Sequence, residues 1–109
     1  MAIQYKNQPF DLTTDVMTTV LTLDESSRAI IQNIQTENTS TGTVTVASAV
    51  FDYSTTTTTQ MSTIQMSTLT TQNIAKGPVV LEEQDALKIK GGTANVIKGL
   101  VSYALITGD

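Results

Sequence analysis

Threonine sets the first constraint on this chain. It occurs 21 times in 109 residues, from Thr13 to Thr107. A β-branched side chain is stiff at χ1 and favours a pleated, half-wetted surface, so the excess points to β-sheet. The segment TVTVASAVFDY (43–53) shows the pattern most clearly, with Val44, Val46 and Val50 directed inward and Thr43 and Thr45 outward. Before it, RAIIQNIQTEN (28–38) places Ile30 and Ile34 on one face and Ala29 and Ile31 on the other, and TSTG (39–42) turns the chain. The two segments are expected to pair as adjacent strands of a hairpin.

The stretch STTTTTQMSTIQMSTL (54–69) resembles a linker at first sight, but it has no Gly, Pro or charge. Flexible linkers favour Gly and Ser, and nothing in this run breaks a strand. The reading is therefore an extended, mostly solvated strand. Within it, QMSTI is followed directly by QMSTL, a repeat of odd period. Strand side chains alternate with period two, so Met61 and Met66 would face opposite ways in an unbroken strand. A bulge or turn near Gln65 would return both to the core.

Further strands are expected at VMTTVLTL (16–23), VVL (79–81), ALKIK (86–90) and NVIKGLVSYALIT (95–107), with turns at DESS (24–27), Gly77-Pro78, EEQD (82–85) and Gly91-Gly92. The last strand is apolar on both faces. Ile97, Val101, Tyr103 and Leu105 form one face, and Val96, Leu100, Ala104 and Ile106 form the other. A strand apolar on both sides is usually covered on both sides, and a partner subunit could supply part of that cover. Residues 1–15 read as an irregular arm with anchors at Tyr5, Pro9, Phe10 and Leu12, expected to leave its own domain and lie across a neighbour. No segment shows convincing helical periodicity. The expectation is all-β: one β-sandwich over residues 16–109, of jelly-roll or immunoglobulin-like topology, behind an extended N-terminal arm.

Composition narrows the function. Ten acids against six bases give a net charge of −4, and no Lys/Arg cluster provides a footprint for nucleic acid. Without cysteine there is neither a disulfide framework nor a thiolate metal site. The first 25 residues hold no apolar leader core, and no apolar run is long enough for a membrane span, so a soluble protein made in the cytosol is expected, with no membrane partner.

The chemistry is equally sparse. There is no histidine, which removes the usual general base, the Ser-His-Asp triad and the common zinc ligand. The acidic clusters Asp24-Glu25 and Glu82-Glu83-Asp85 lie at expected turns, where carboxylates cap backbone N–H groups, and the second lacks the ordered spacing of a calcium loop. Gly91-Gly92 lacks the residues of a phosphate loop. The chain reads as a non-enzyme without cofactor or metal.

Three segments, RAIIQNIQTENTSTGTVTV, KGPVVLEEQDALKIKGG and GLVSYALI, resemble small β-sandwich structural proteins of tailed bacteriophage virions. In these, an Ile-rich strand ends in an Asn-Thr-Ser turn, a Gly-Pro apolar strand leads through an acidic turn, and the final strand carries Val-Ser-Tyr. Two features depart from that pattern: Gln84 stands where Gly is expected, and the threonine run has no counterpart. The resemblance implies assembly into a virion in the host cytoplasm, with the major capsid protein or other virion proteins as partners. Capsid decoration as a homotrimer is the leading expectation. A neck, tail or fibre component, or a host-surface or carbohydrate-binding module, is the alternative. The interface is expected at Tyr5, Pro9, Phe10, Leu12, Val96, Leu100, Ala104 and Ile106.

Overall fold

Alternating apolar and polar residues, broken by turn residues, give nine strands in the computed structural model, which describes residues 2–75 and 77–107. Residue 1 of the expected arm and residues 108–109 of the expected sandwich lie outside the described residues. The strands are β1 (Ala2–Leu12), β2 (Thr18–Thr22), β3 (Ser27–Asn38), β4 (Val44–Asp52), β5 (Thr57–Met66), β6 (Thr71–Asn73), β7 (Val79–Leu81), β8 (Ala86–Gly91) and β9 (Ile97–Thr107). One sheet runs β1-β9-β3-β6, with β7 also on β3, and the other runs β2-β8-β4-β5. We call them sheets A and B. The pairing is nested and antiparallel: β1 with β9, β2 with β8, β3 with β6 and β7, β4 with β5. Such nesting, split over two packed sheets, is a jelly roll rather than an immunoglobulin-like sandwich.

The expected N-terminal arm is absent. Residues 2–12 form the edge strand of sheet A and pair one-for-one with β9, from Ala2↔Thr107 to Leu12↔Ile97. The reason is side-chain parity at the end of this strand. Phe10 and Leu12 share a face and are buried in their own core, Leu12 to 1% exposure. Pro9 is tolerated because an edge strand is bonded on one side only, and Lys6 and Pro9 also discourage further strands from adding there.

The expected hairpin between residues 28–38 and 43–53 does not form. β3 lies in sheet A and β4 in sheet B, and β4 pairs instead with the threonine strand β5. Asn38 accounts for the departure from the sheet. Its fully buried amide Nδ2 lies 3.0 Å from the Gly42 carbonyl and 3.1 Å from those of Met66 and Ser67. Its Oδ1 accepts from Ser40 N–H at 3.0 Å and Ser40 Oγ at 2.8 Å. A buried amide so occupied fastens the end of β3 to the end of β5 and turns the chain across to the other sheet.

Two bulges correct the sequence-based facing. In β3 the register slips between Ile31 and Asn33, so Gln32 is the extra residue. Ala29, Ile31, Ile34, Thr36 and Asn38 consequently all face the core, whereas Ile30 faces outward and not with Ile34. In β5 the slip falls at Met61, between Gln60 and Ser62, rather than near Gln65. Met66 is therefore buried while Met61 stays exposed, and Leu69 lies exposed in a turn at φ 53°. The opening residues of the run, Ser54–Thr56, form the β4–β5 turn.

The core lies between the sheets, where Leu12 of β1, Ile31 and Ile34 of β3 and Ile97, Val101 and Tyr103 of β9 pack against Val44 and Val46 of β4 and Leu87 and Ile89 of β8. Gly99 is needed where β9 passes β3. A Cβ there would stand 2.0 Å from the Gln35 carbonyl oxygen and 2.8 Å from Phe10 Cζ. Gly99→Ala is expected to destabilise the fold by about 3 kcal/mol, because backbone cannot yield as a side chain can. Gly42→Ala, with no atom within 4 Å of its added Cβ, should change stability by less than about 0.5 kcal/mol. Urea unfolding of both variants checks the contrast.

Candidate docking face

Register alone assembles an apolar band on the outer face of sheet A. Residues directly opposite in antiparallel strands share a face. One row runs Tyr5–Ala104–Ile30–Val80 across β1, β9, β3 and β7. The next runs Ile3–Ile106–Arg28. Tyr5, Ile3 and Val80 are 78%, 54% and 59% exposed, too many large apolar groups in two adjacent rows for an ordinary wet sheet face. Small Ala104, flanked by Tyr5 and Ile30, is itself buried.

A polar row, Asn7–Ser102–Asn33, bounds the band on one side, where Ser102 Oγ lies 3.0 Å from Asn7 Oδ1. Beyond it, Pro9 and Leu100 line a groove of about 530 Å³ with Asp11, Glu37 and Lys98 around it. At the other end Arg28 Nε donates to both carboxylate oxygens of Glu83 at 3.0 Å. That hydrogen bond holds the Glu83 carboxyl below the usual carboxylate range and raises the Arg28 guanidinium. Both groups are well exposed, so the pair marks the rim and adds little stability.

The eight residues expected at an interface are thus divided. Tyr5, Pro9, Leu100, Ala104 and Ile106 fall on this one face, each opposite another residue of the same outer surface. Phe10 and Leu12 are core residues, and half-buried Val96 packs against the core from the loop before β9. Ile3, Ile30 and Val80 belong to the face and were missed. Parity could have found Ile3, since it and Tyr5 are odd-numbered while buried Phe10 and Leu12 are even. Ile30 was hidden by the bulge at Gln32, and Val80 by the lack of any polar residue in VVL to mark its outer face.

The acidic turn serves structure. Asp85 is buried, and its carboxylate accepts the N–H groups of Tyr53 and Glu82, each at 3.0 Å. With Glu83 paired to Arg28, the carboxylates of Glu82, Glu83 and Asp85 do not converge, and among the described residues no group of three potential ligands could hold a metal ion.

No protein-family model and no curated protein matches the chain. Solved structures match it in fold. A chain of the T13 viral particle of IBDV has a TM-score of 0.60 at 12% identity, over 97% of this chain and 31% of that one. A chain of the Gx strain of infectious bursal disease virus gives 0.53 at 10% identity, over 94% and 32%. A protein of Bacillus endospore appendages, a family of disulfide-linked pili, gives 0.55 at 18% identity, over 98% of this chain and 89% of that one. This chain therefore spans about a third of the viral chains and nearly all of the pilus protein. What is shared is an all-β, jelly-roll-like sandwich that occurs in structural proteins.

The division of the interface residues has a direct test. Leu12→Ala should cost about 2 to 5 kcal/mol of stability, as large-to-small core changes do. Tyr5→Ser on the same strand should cost less than about 1 kcal/mol. Thermal or urea unfolding of the two variants reads the difference.

Proposed function

We propose that this protein is a non-enzymatic component of a bacteriophage particle that decorates the outside of the shell and strengthens it. The apolar band on sheet A carries the reading. Each of its large side chains contributes about 1.5 to 3 kcal/mol when fully buried, before the costs of association. An exposed band of this kind suits an assembly surface, and its polar and charged margins suit the rim of one. The sandwich shared with viral particle chains, the absence of histidine and cysteine, and the resemblance to virion proteins support the same conclusion. In this reading the protein acts as a homotrimer whose copies each set the band against the major capsid protein, so that shell subunits are clamped together.

A second reading, a neck, tail or fibre component, draws on the likeness to the appendage pilus protein, which this chain matches over nearly its whole length. Disulfide linkage is not open to a chain without cysteine, so filament contacts would be made without it.

Copy number separates the two readings. Purified particles should carry this protein in numbers comparable to the shell protein if it is a decoration protein, and in a small fixed number if it belongs to neck or tail. A protein that binds only the assembled shell stabilises it by mass action over many sites. Particles lacking it should assemble normally yet release their genome at lower temperature. Unchanged thermal release together with a low copy number would favour the second reading.

A further inference from the structure

The opposite side of the sandwich carries a feature that docking through sheet A leaves unused. On the outer face of sheet B, Ala86 lies opposite Thr22 of β2 on one side and Phe51 of β4 on the other. A small residue between larger ones makes a floor. The depression above it measures about 630 Å³, within the range of roughly 300 to 1,000 Å³ usual for small-molecule sites. Phe51 and Tyr53 supply aromatic walls, and Asp24, Glu25, Gln84 and Lys88 supply polar groups.

The rim is held firmly. Buried Asp85 accepts the Tyr53 N–H through its side chain and the Leu23 N–H, at 3.0 Å, through its carbonyl. The Gln84 N–H donates to the Asp24 carbonyl at 3.1 Å. Three loops that carry lining residues are thus tied together through Asp85 and its neighbour. Gln84 sits at φ 66°, in the left-handed region where glycine would be unstrained. A side chain kept at a strained position facing a preformed depression is a hint of function. It is also the position where the virion-protein pattern leads one to expect Gly.

The chemistry selects the ligand class. Lys88 Nζ lies 5.3 Å from the Phe51 ring centroid, a cation–π contact that leaves Tyr53 the freer ring. Hydrogen bonding from Ser27 and from Ser26 N–H and Oγ holds the Asp24 carboxyl below the usual carboxylate range, so it remains an ionised acceptor. Phosphates would meet the carboxylates of Asp24 and Glu25, and a bare divalent cation finds no triad of ligands among the described residues. A hydrocarbon would meet a charged rim. A neutral pyranose fits both sets of groups: its C–H face can lie on an aromatic ring while its hydroxyls use carboxylate acceptors and the amide and ammonium donors.

We propose that the depression between β2, β8 and β4 is a binding site for neutral glycans, on the face directed away from the docking surface. A docked copy would then present it outward.

The isolated protein suffices for the test, so its outcome is independent of whether sheet A docks on a shell. Methyl glycosides of glucose, galactose, mannose and N-acetylglucosamine are titrated against the ¹⁵N-labelled chain. At least one should give saturable amide shifts, at millimolar affinity, confined to residues 19–25, 51–53 and 84–88. Tyr53→Ala should weaken that affinity by about tenfold or more. Gln84→Gly should weaken binding while raising the unfolding midpoint, a combination that a merely structural residue would not give. The proposal is overturned if no glycoside gives saturable shifts in these segments, or if Tyr53→Ala leaves the shifts unchanged. Binding of N-acetylarginine amide with every glycoside silent would also overturn it, and would mark the depression as a site for cationic side chains.

Discussion

The pairing of β9 with both β1 and β3 is the constraint on which the rest of this structure depends. β9 meets β1 along all eleven of its residues, from Thr107 to Ile97, and meets β3 over the same span. One strand therefore closes the chain, since residues from its two ends must come together before sheet A exists. Contacts of such high sequence separation carry a loop-closure cost, and jelly rolls fold slowly for that reason. The same central position explains why β9 is apolar on both faces. Its odd-numbered residues complete the core, and its even-numbered ones lie in the middle of an outer face flanked by Tyr5 and Ile30.

From that placement the two outer faces acquire different characters. Sheet A shows apolar side chains on three adjoining strands and on β7, bounded by a polar row and an exposed ion pair. Sheet B shows threonines, the lysines Lys88 and Lys90 and, at one end, the aromatic depression. The chemistry suits contact with a large apolar partner on one side and with small polar ligands or solvent on the other. Neither face offers histidine or thiol chemistry, because the chain has neither residue.

Much of this was legible in the amino-acid sequence, and the losses have identifiable causes. Alternation located the strands 43–53, 86–90 and 95–107 well, because each is half-buried or central and its parity runs unbroken or nearly so. Threonine content correctly drew the run at 54–69 into the sandwich. Strand partners were not legible, because alternation reports facing and not neighbours; β3 and β4 were joined in a hairpin although the Asn38 amide sends the chain to the other sheet. The bulge at Gln32 leaves no mark in residue type, and the odd-period repeat called for an irregularity in β5 without placing it at Met61, yet each bulge reverses the facing of everything beyond it. The arm was misread because its density of apolar residues was counted without parity, which separates Tyr5 and Pro9 from Phe10 and Leu12. Val96 packs against the core, but the even side of β9 on the outer face of sheet A was legible from its own pattern at Leu100, Ala104 and Ile106. Its extension to Ile3, Ile30 and Val80 depended on long-range register that a single strand does not carry.

The central claim, that the outer face of sheet A is the assembly surface, is tested most directly by chemical accessibility on intact particles. The chain has no cysteine, so a single introduced thiol reports without background. Tyr5→Cys and Val80→Cys place it on the apolar band, and Thr63→Cys places it on the outer face of sheet B. Maleimide should label all three readily in the free protein. On purified particles the account predicts that Tyr5→Cys and Val80→Cys become shielded while Thr63→Cys stays reactive. Equal labelling of Tyr5→Cys and Val80→Cys in the free and particle-bound protein would contradict it.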